Sequence, residues 1–239
     1  MPQIGITERG DAALDTPWLE WVIDNKPTIL ITKNPGSLLK TLQRWDLTGA
    51  KNIIIHCTIT GLGGSELEPN VPIAETSIDA YKHLIAYYGT EAVVLRIDPI
   101  FLYPMTLFDR ARDVLGKRVE GGRVRISFAD MYSHVAARIH DRRLEDKYSG
   151  IVTSYCSRLH YDLKLRKAAL HFFPNTEICG EPDIACYGCV SQRDLTYFGL
   201  TAPNYKGGQR QACACINAKH ELLTNKMQCA HKCTYCYWR

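Results

Sequence analysis

The chain has 239 residues, 46% of them hydrophobic and 23% charged, with 29 Lys and Arg against 25 Asp and Glu for a net charge of +4. That is enough chain for one sizeable hydrophobic core. It has no run near the roughly eighteen uninterrupted apolar residues of a membrane span, so no membrane partner is expected. The opening MPQIGITERGD carries no basic-then-apolar leader pattern, which points to a cytoplasmic location.

Apolar, β-branched runs at 3–7, 28–32, 52–60, 92–98, 123–128 and, more briefly, 176–179 predict six strands. Continuous runs such as NIIIHCTIT and AVVLRID suit strands buried on both faces, as parallel strands are. Between them the apolar residues recur at helical spacing over 17–24, over 37–45 with Ser37 as the expected cap, over 75–88 closed by Gly89, and over 105–115 closed by Gly116. Two further helices fit within 131–147 and 157–171. This alternation predicts an α/β fold of right-handed βαβ units, with a partial parallel (β/α)6-type, TIM-like barrel preferred over a doubly wound open sheet.

Parallel α/β folds gather their sites at the carboxyl edge of the sheet. Here that edge carries Thr7, Glu8, Arg9 and Asp11, then Thr32 and Lys33, Thr58 and Thr60, Arg96 and Asp98, and Ser127 and Asp130. Each alone can be a helix cap or a satisfied core group; their coincidence at one rim marks a candidate site. The 138–167 segment holds eight Lys or Arg against four acids, interleaved with Tyr and His. It reads either as a solvated helix face or as a phosphate-binding surface.

From about residue 180 the alternation gives way to a cysteine-rich region, expected to be loop with one strand. The chain thus divides into a barrel part at 1–178 and a region at 179–239 that completes the barrel and carries a metal loop. Eight of the ten cysteines lie here, and in a reducing compartment such crowding suggests metal. Cys229, Cys233 and Cys236 supply one ligand fewer than a closed tetrahedral zinc site or a fully ligated iron-sulfur cluster needs. A coordination position is then open unless another residue fills it. Cys179, Cys189, Cys213 and Cys215 add up to a four-thiolate set, for a second iron-sulfur cluster or a zinc ion, with inert buried thiols as the alternative. Cys186 forms C-x-x-C with Cys189 and competes for a place. Cys57, inside an apolar strand, reads as packing.

Cys229, Cys233, Tyr235 and Cys236 fit C-x-x-x-C-x-aromatic-C, which resembles the signature of radical S-adenosylmethionine (SAM) enzymes. The stretches ITKNPGSLL, TITGLGGSELEPNVP and VVLRIDPIFLYP resemble, in that order, strand ends of the spore photoproduct lyase-like branch, whose members carry TK, then a T followed by EP, then a Pro-rich turn. The chain looks most similar to an uncharacterised bacterial and phage family with the cysteine motif last and extra cysteines before it. The resemblance implies a [4Fe-4S] cluster on Cys229, Cys233 and Cys236, with SAM on the remaining iron and Tyr235 against the adenosyl group. A reducing partner of flavodoxin or ferredoxin type would supply the electron that cleaves SAM to methionine and a 5′-deoxyadenosyl radical. It also implies Lys33, Arg96 and Ser127 as catalytic groups and Thr60 and Asp98 as cofactor-binding groups. Glu66 joins the latter because GLGGSE resembles the Gly-Gly-Glu element that holds the SAM amine, although it follows the third strand, where a turn is the alternative reading.

The order departs from that superfamily, where the cluster loop follows the first strand. It implies a circular permutation, with 213–223 supplying the strand that elsewhere opens the barrel and the N-terminal strand standing where a later one normally does. Only Tyr237, Trp238 and Arg239 follow the motif, so the loop's support would come from elsewhere. The branch and the basic segment both lean towards a nucleobase in DNA as substrate, presented by base flipping. The alternative is a non-catalytic zinc or iron-sulfur module that binds nucleic acid through 138–167.

Overall fold

In the computed structural model, which describes residues 3–201, 212–216, 219–224 and 228–238, the β-branched runs become parallel strands. They are β1 (Ile4–Ile6), β2 (Thr28–Thr32), β3 (Ile53–Thr58), β4 (Val93–Ile100), β5 (Arg123–Phe128), β6 (Glu177–Ile178) and β7 (Lys219–Glu221). All pair in parallel in one curled, half-barrel sheet of order β6-β5-β4-β3-β2-β1-β7. The strand latest in the chain therefore lies beside the earliest, with Gly5 opposite His220. The six strands expected before residue 180 and the one expected within 213–223 are the seven seen among the described residues; residues 217 and 218, within that last expected strand, and Arg239 lie outside the described residues.

The connecting helices are α1 (Trp18–Ile23), α2 (Pro35–Arg44), α3 (Ala74–Tyr88), α4 (Met105–Gly116), α5 (Ser133–Asp141), α6 (Leu144–Lys147) and α7 (Leu163–Leu170). Their apolar faces meet one side of the sheet, where Ile53, Ile55, Val93, Leu95, Val124 and Ile126 pack with Leu38, Leu42, Ile78, Leu84, Phe108 and Ile139 in the main core. Two caps differ from expectation. Asn34, not Ser37, caps α2, its side chain accepting from the Ser37 amide at 3.1 Å; Pro35 at the first helical position fixes that earlier start. Gly116 is the last residue inside α4 rather than its stop, and Lys117 follows as the cap. Gly89 does close α3, with φ at 82°.

The other side of the half-barrel carries Ile4, Ile6, Ile29, Ile31, Ile54 and Val94, alternating along the strands with the outward set. In a closed barrel the opposite strands would fill this space. Here Cys179, Cys189, Val190, Leu195 and Cys215 cover it. Leu195 belongs to α8 (Gln192–Tyr197), a helix the sequence reading missed although Ser191 and Asp194 form a capping box.

Buried charges fasten this cover to the sheet edge. Arg123 on β5 donates to Asp194 at 2.7 Å, and Arg125 donates to Glu177 on β6 at 3.0 Å and to the Cys189 carbonyl at 3.1 Å. Both guanidinium side chains and Asp194 are fully buried, so removing one partner leaves a charge without compensation. Asp194→Ala is expected to cost about 3–5 kcal/mol of stability, read by urea denaturation; a loss below about 1 kcal/mol, the range of an exposed pair, would show that the network does not secure the cover.

Candidate functional site

The strand ends and the last described residues enclose one cleft at the carboxyl edge. Lys33 follows β2, Thr58 ends β3, Arg96 and Asp98 lie on β4, Ser127 on β5, and Cys229, Cys233, Tyr235 and Cys236 form the opposite wall. The three cysteines of the terminal motif thus line the space that the polar strand ends share.

The cysteine loop is pinned by residues far away in sequence. The Asp11 carboxylate, after β1, lies 2.7 Å from His231 Nε2 and accepts from Thr32 Oγ1 at 2.7 Å, the Lys33 amide at 2.6 Å and the Ala13 amide at 2.8 Å. His231 Nδ1 faces the Asn70 carbonyl at 3.1 Å. A carbonyl only accepts, so Nδ1 carries a proton, and the carboxylate at Nε2 favours the second. Burial opposes charge on His231, but Asp11 outweighs it and raises the imidazole above its ordinary range. Burial likewise raises Asp11, and His231 with the other donors more than reverses it.

Donors from α5 and its C-terminal end, and acceptors from the loop after β3, add further contacts. Arg138 donates from Nε to the Thr234 carbonyl at 3.0 Å and from Nη2 to that of Cys236, while Arg142 reaches Thr234 Oγ1 at 3.1 Å. Thr234 in turn donates its amide to Leu67 O at 2.9 Å and its hydroxyl to Glu66 O at 2.8 Å. The support that the sequence leaves unassigned is therefore α5 together with the 61–71 loop. Gly63 lets that loop fold tightly, since a Cβ there would stand 1.9 Å from the Pro72 carbonyl oxygen.

A second group of contacts sets Tyr235. Glu68, 1% exposed, accepts from Lys33 Nζ at 2.8 Å, from Thr60 Oγ1 at 2.7 Å and from the Tyr235 hydroxyl. Lys33 Nζ also lies 2.8 Å from that hydroxyl. Burial works against the Lys33 ammonium, yet Glu68 more than compensates and raises it. The Tyr235 ring meets Phe101 edge-on, with centroids 5.7 Å apart. On the far wall, Ser127 donates to Asp98 at 2.5 Å and Arg96 pairs with the same carboxylate.

Lys33, Arg96, Asp98, Ser127 and Tyr235 are thus brought together with the three cysteines; Thr60 lies beneath, holding Glu68. Glu66 is elsewhere. Its carboxylate meets Lys147 at 2.6 Å and Tyr148 at 3.0 Å, and the Lys147 hydrogen bond leads in pulling it down to about 2. The buried carboxylate of this loop is Glu68, and the EP pair Glu68-Pro69 was the signal for it. His231, inside the cysteine motif, and Asn70 were not anticipated, because their partners are remote in sequence.

Cys179, Cys189, Cys213 and Cys215 form a separate group against the sheet's inner face, with Cys179 and Cys189 Sγ 3.5 Å apart. Cys186 is turned away from it, its thiol against the Glu181 amide at 3.2 Å and the Ile184 carbonyl at 3.3 Å. Cys57 is buried on the outer face, and burial raises its thiol far above the ordinary range. Among the described residues no three Cys, His, Asp or Glu side chains stand as a ligand set for a metal ion. A cubane puts each thiolate on a different iron, so its ligands need not converge on one point; the donor chemistry of the terminal trio is compatible with such a group.

The 138–167 segment is less of a surface than its composition suggests. Arg138 and Arg142 hold the cysteine loop, Arg166 is buried with Glu181 at 3.1 Å, and Lys147 pairs with Glu66. No helix among the described residues is long and apolar enough to cross a membrane.

Replacing Arg138 with Met removes charge-assisted bonds to two carbonyls of the loop, each worth about 1.5–3 kcal/mol. Amide exchange in 229–238, read by mass spectrometry, is expected to quicken by about 10- to 100-fold. Unchanged exchange would mean that α5 does not restrain the loop.

No curated protein and no solved structure matches the chain. Residues 24–238, which span β2 to β7 and both cysteine groups, match the family described as domain of unknown function DUF1848, and the chain belongs to that family.

Proposed function

We propose that the chain is a radical SAM enzyme of circularly permuted arrangement. One observation carries the reading: the three cysteines of a C-x-x-x-C-x-aromatic-C motif line a cleft at the carboxyl edge of a parallel half-barrel, among polar strand-end residues. The placement of β7 beside β1 supports the permutation. Cys229, Cys233 and Cys236 would hold three irons of a [4Fe-4S] cluster. When bound, the cluster and SAM together supply an electron and a hydrogen-abstracting radical.

The chain's own residues bind, orient and shield. Asp11, Asn70 and Arg138 fix the cysteine loop, and the positive charge of Lys33 acts on the buried Cys233. Glu68 and Lys33 tether the Tyr235 hydroxyl and so fix the ring for stacking against an adenine. Arg96, Asp98 and Ser127 offer charge and hydrogen bonds for the polar groups of SAM or substrate. Their mutual contacts preorganise them, which lowers the cost of ordering on binding.

For the substrate the reading is a nucleobase in DNA, and it rests on the strand-motif resemblance. Its electrostatic support is smaller than composition suggests, since Arg138, Arg142 and Arg166 point inward.

Anaerobic reconstitution with iron and sulfide is expected to give thiolate-to-iron charge-transfer absorbance, and then 5′-deoxyadenosine on adding SAM and dithionite. Serine at Cys229, Cys233 and Cys236 should abolish the product. Stoichiometric zinc with no SAM cleavage would overturn the enzyme reading in favour of a nucleic-acid-binding metal module. Glu68→Gln, which loosens Lys33 and Tyr235, is expected to slow product formation by up to roughly 100-fold, the cost of about 1 Å of misplacement. Glu66→Gln should leave it unchanged, and equal effects of the two would refute the placement of Glu68.

A further inference from the structure

Four thiols from three separate segments meet on the inner face of the sheet. Cys179 follows β6 and donates its amide to the Ile126 carbonyl at 2.9 Å. Its Sγ lies 3.5 Å from that of Cys189, whose own amide donates to Cys215 Sγ at 3.0 Å. Thiol contacts continue from Cys189 to Cys215 and from Cys215 to Cys213. Cys179, Cys189 and Cys215 are buried and Cys213 is half-buried. As they stand the four sulfurs form a chain of contacts rather than a closed ligand set. A thiol is only a weak donor and a weak acceptor, so mutual hydrogen bonding is a poor reason to gather four.

Two features nearby point to a ligand. Gly188, with φ at 82°, lets the turn before Cys189 lie directly on the segment carrying Cys213 and Cys215: a Cβ there would stand 2.6 Å from the Cys215 amide nitrogen. Then there is His56, on β3 and fully buried, with no hydrogen-bond partner for either ring nitrogen among the described residues. It shares a strand face with Ile54, and its register neighbours Ile31 and Val94 belong to the apolar cluster that contains Cys179, Cys189 and Cys215. Burying an imidazole without a partner is costly, and this one needs an acceptor for its N–H. Arg96 and Arg125 lie near Cys179 and Cys189, and Lys219 lies near Cys215 and Cys189; even so, the neighbouring thiols and burial push the thiols of Cys179, Cys189 and Cys215 up.

We propose that Cys179, Cys189, Cys213 and Cys215 ligate a second, thiophilic metal centre that pins the cysteine-rich segment to the half-barrel, with His56 donating a hydrogen bond to its sulfur. The ligating chemistry is shared by a tetrahedral zinc ion and an iron-sulfur cluster. Binding takes the four sulfurs as thiolates and releases their protons to solvent. With four protein thiolates the site has no open coordination position, and it stands independently of the reading of the terminal trio.

The test uses the full chain with Cys229, Cys233 and Cys236 replaced by Ser, purified without oxygen and analysed for zinc, iron and acid-labile sulfide. Stoichiometric zinc without sulfide identifies a single ion, and iron matched by sulfide identifies a cluster; either supports the centre, and a metal-free protein overturns it. Adding Cys189→Ser and Cys215→Ser should remove that metal, and its retention would overturn the ligand set. In the unsubstituted protein, alkylation read by mass spectrometry gives an answer that does not depend on a variant folding. Half-buried Cys213 should resist labelling until a chelator is added, whereas equal labelling before and after would sink the proposal. Gly188→Ala should speed release of the metal to a chelator. His56→Phe should weaken retention by about 10-fold, with His56→Asn, which keeps a donor, recovering most of it; release unchanged in His56→Phe would remove His56 from the assignment.

Discussion

A parallel sheet that does not close on itself has an inner face which no opposite strand fills, and most of this architecture answers that constraint. Helices α1 to α7 cover only the outer side. The inner side, with Ile6, Ile29, Ile54 and Val94 beside the polar His56, Arg96 and Arg125, would otherwise meet water. The cysteine-rich quarter of the chain performs that covering. It does so with modest apolar area and with charge, since Arg123 and Arg125 reach across to Asp194, Glu177 and the Cys189 carbonyl. Buried ion pairs of this sort specify one arrangement more than they add stability.

The same region then supplies the wall of the cleft. Its loop, Cys229 to Cys236, rests on three supports: the Asp11–His231 pair, the 61–71 loop after β3, and α5. None of these is a neighbour in sequence. Arg138 and Arg142 illustrate how a charge run misleads: a guanidinium makes five directed donors, and here they satisfy loop carbonyls and a hydroxyl rather than a phosphate.

Much of the scaffold was legible because it is written locally. The runs at 28–32 and 123–128 are β2 and β5 to the residue, since continuous β-branched sequence between polar turns leaves a doubly buried strand as the simplest outcome. The polar strand ends were legible for the same reason, as parallel topology puts Lys33, Arg96, Asp98 and Ser127 on one rim. What stayed hidden depends on three dimensions. Asn34 outcompeted Ser37 as a cap because Pro35 starts α2 earlier. Glu66 and Glu68 differ by two residues, yet Gly63 and the tight turn to Pro72 decide which one is buried. The short α8 was visible in Ser191 and Asp194 but easily passed over among loop residues.

The Asp11–His231 contact joins positions 220 residues apart, and among the described residues β7 pairs with β1. Such distant pairings form slowly, since loop closure must be met before they reward it. During translation the β1 edge that β7 covers therefore waits unpaired until residues 219–221 have left the ribosome. The thiols of Cys229, Cys233 and Cys236 are made after Asp11, the 61–71 loop and α5 that hold their loop, so they stand open to oxidants until those slow pairings have formed.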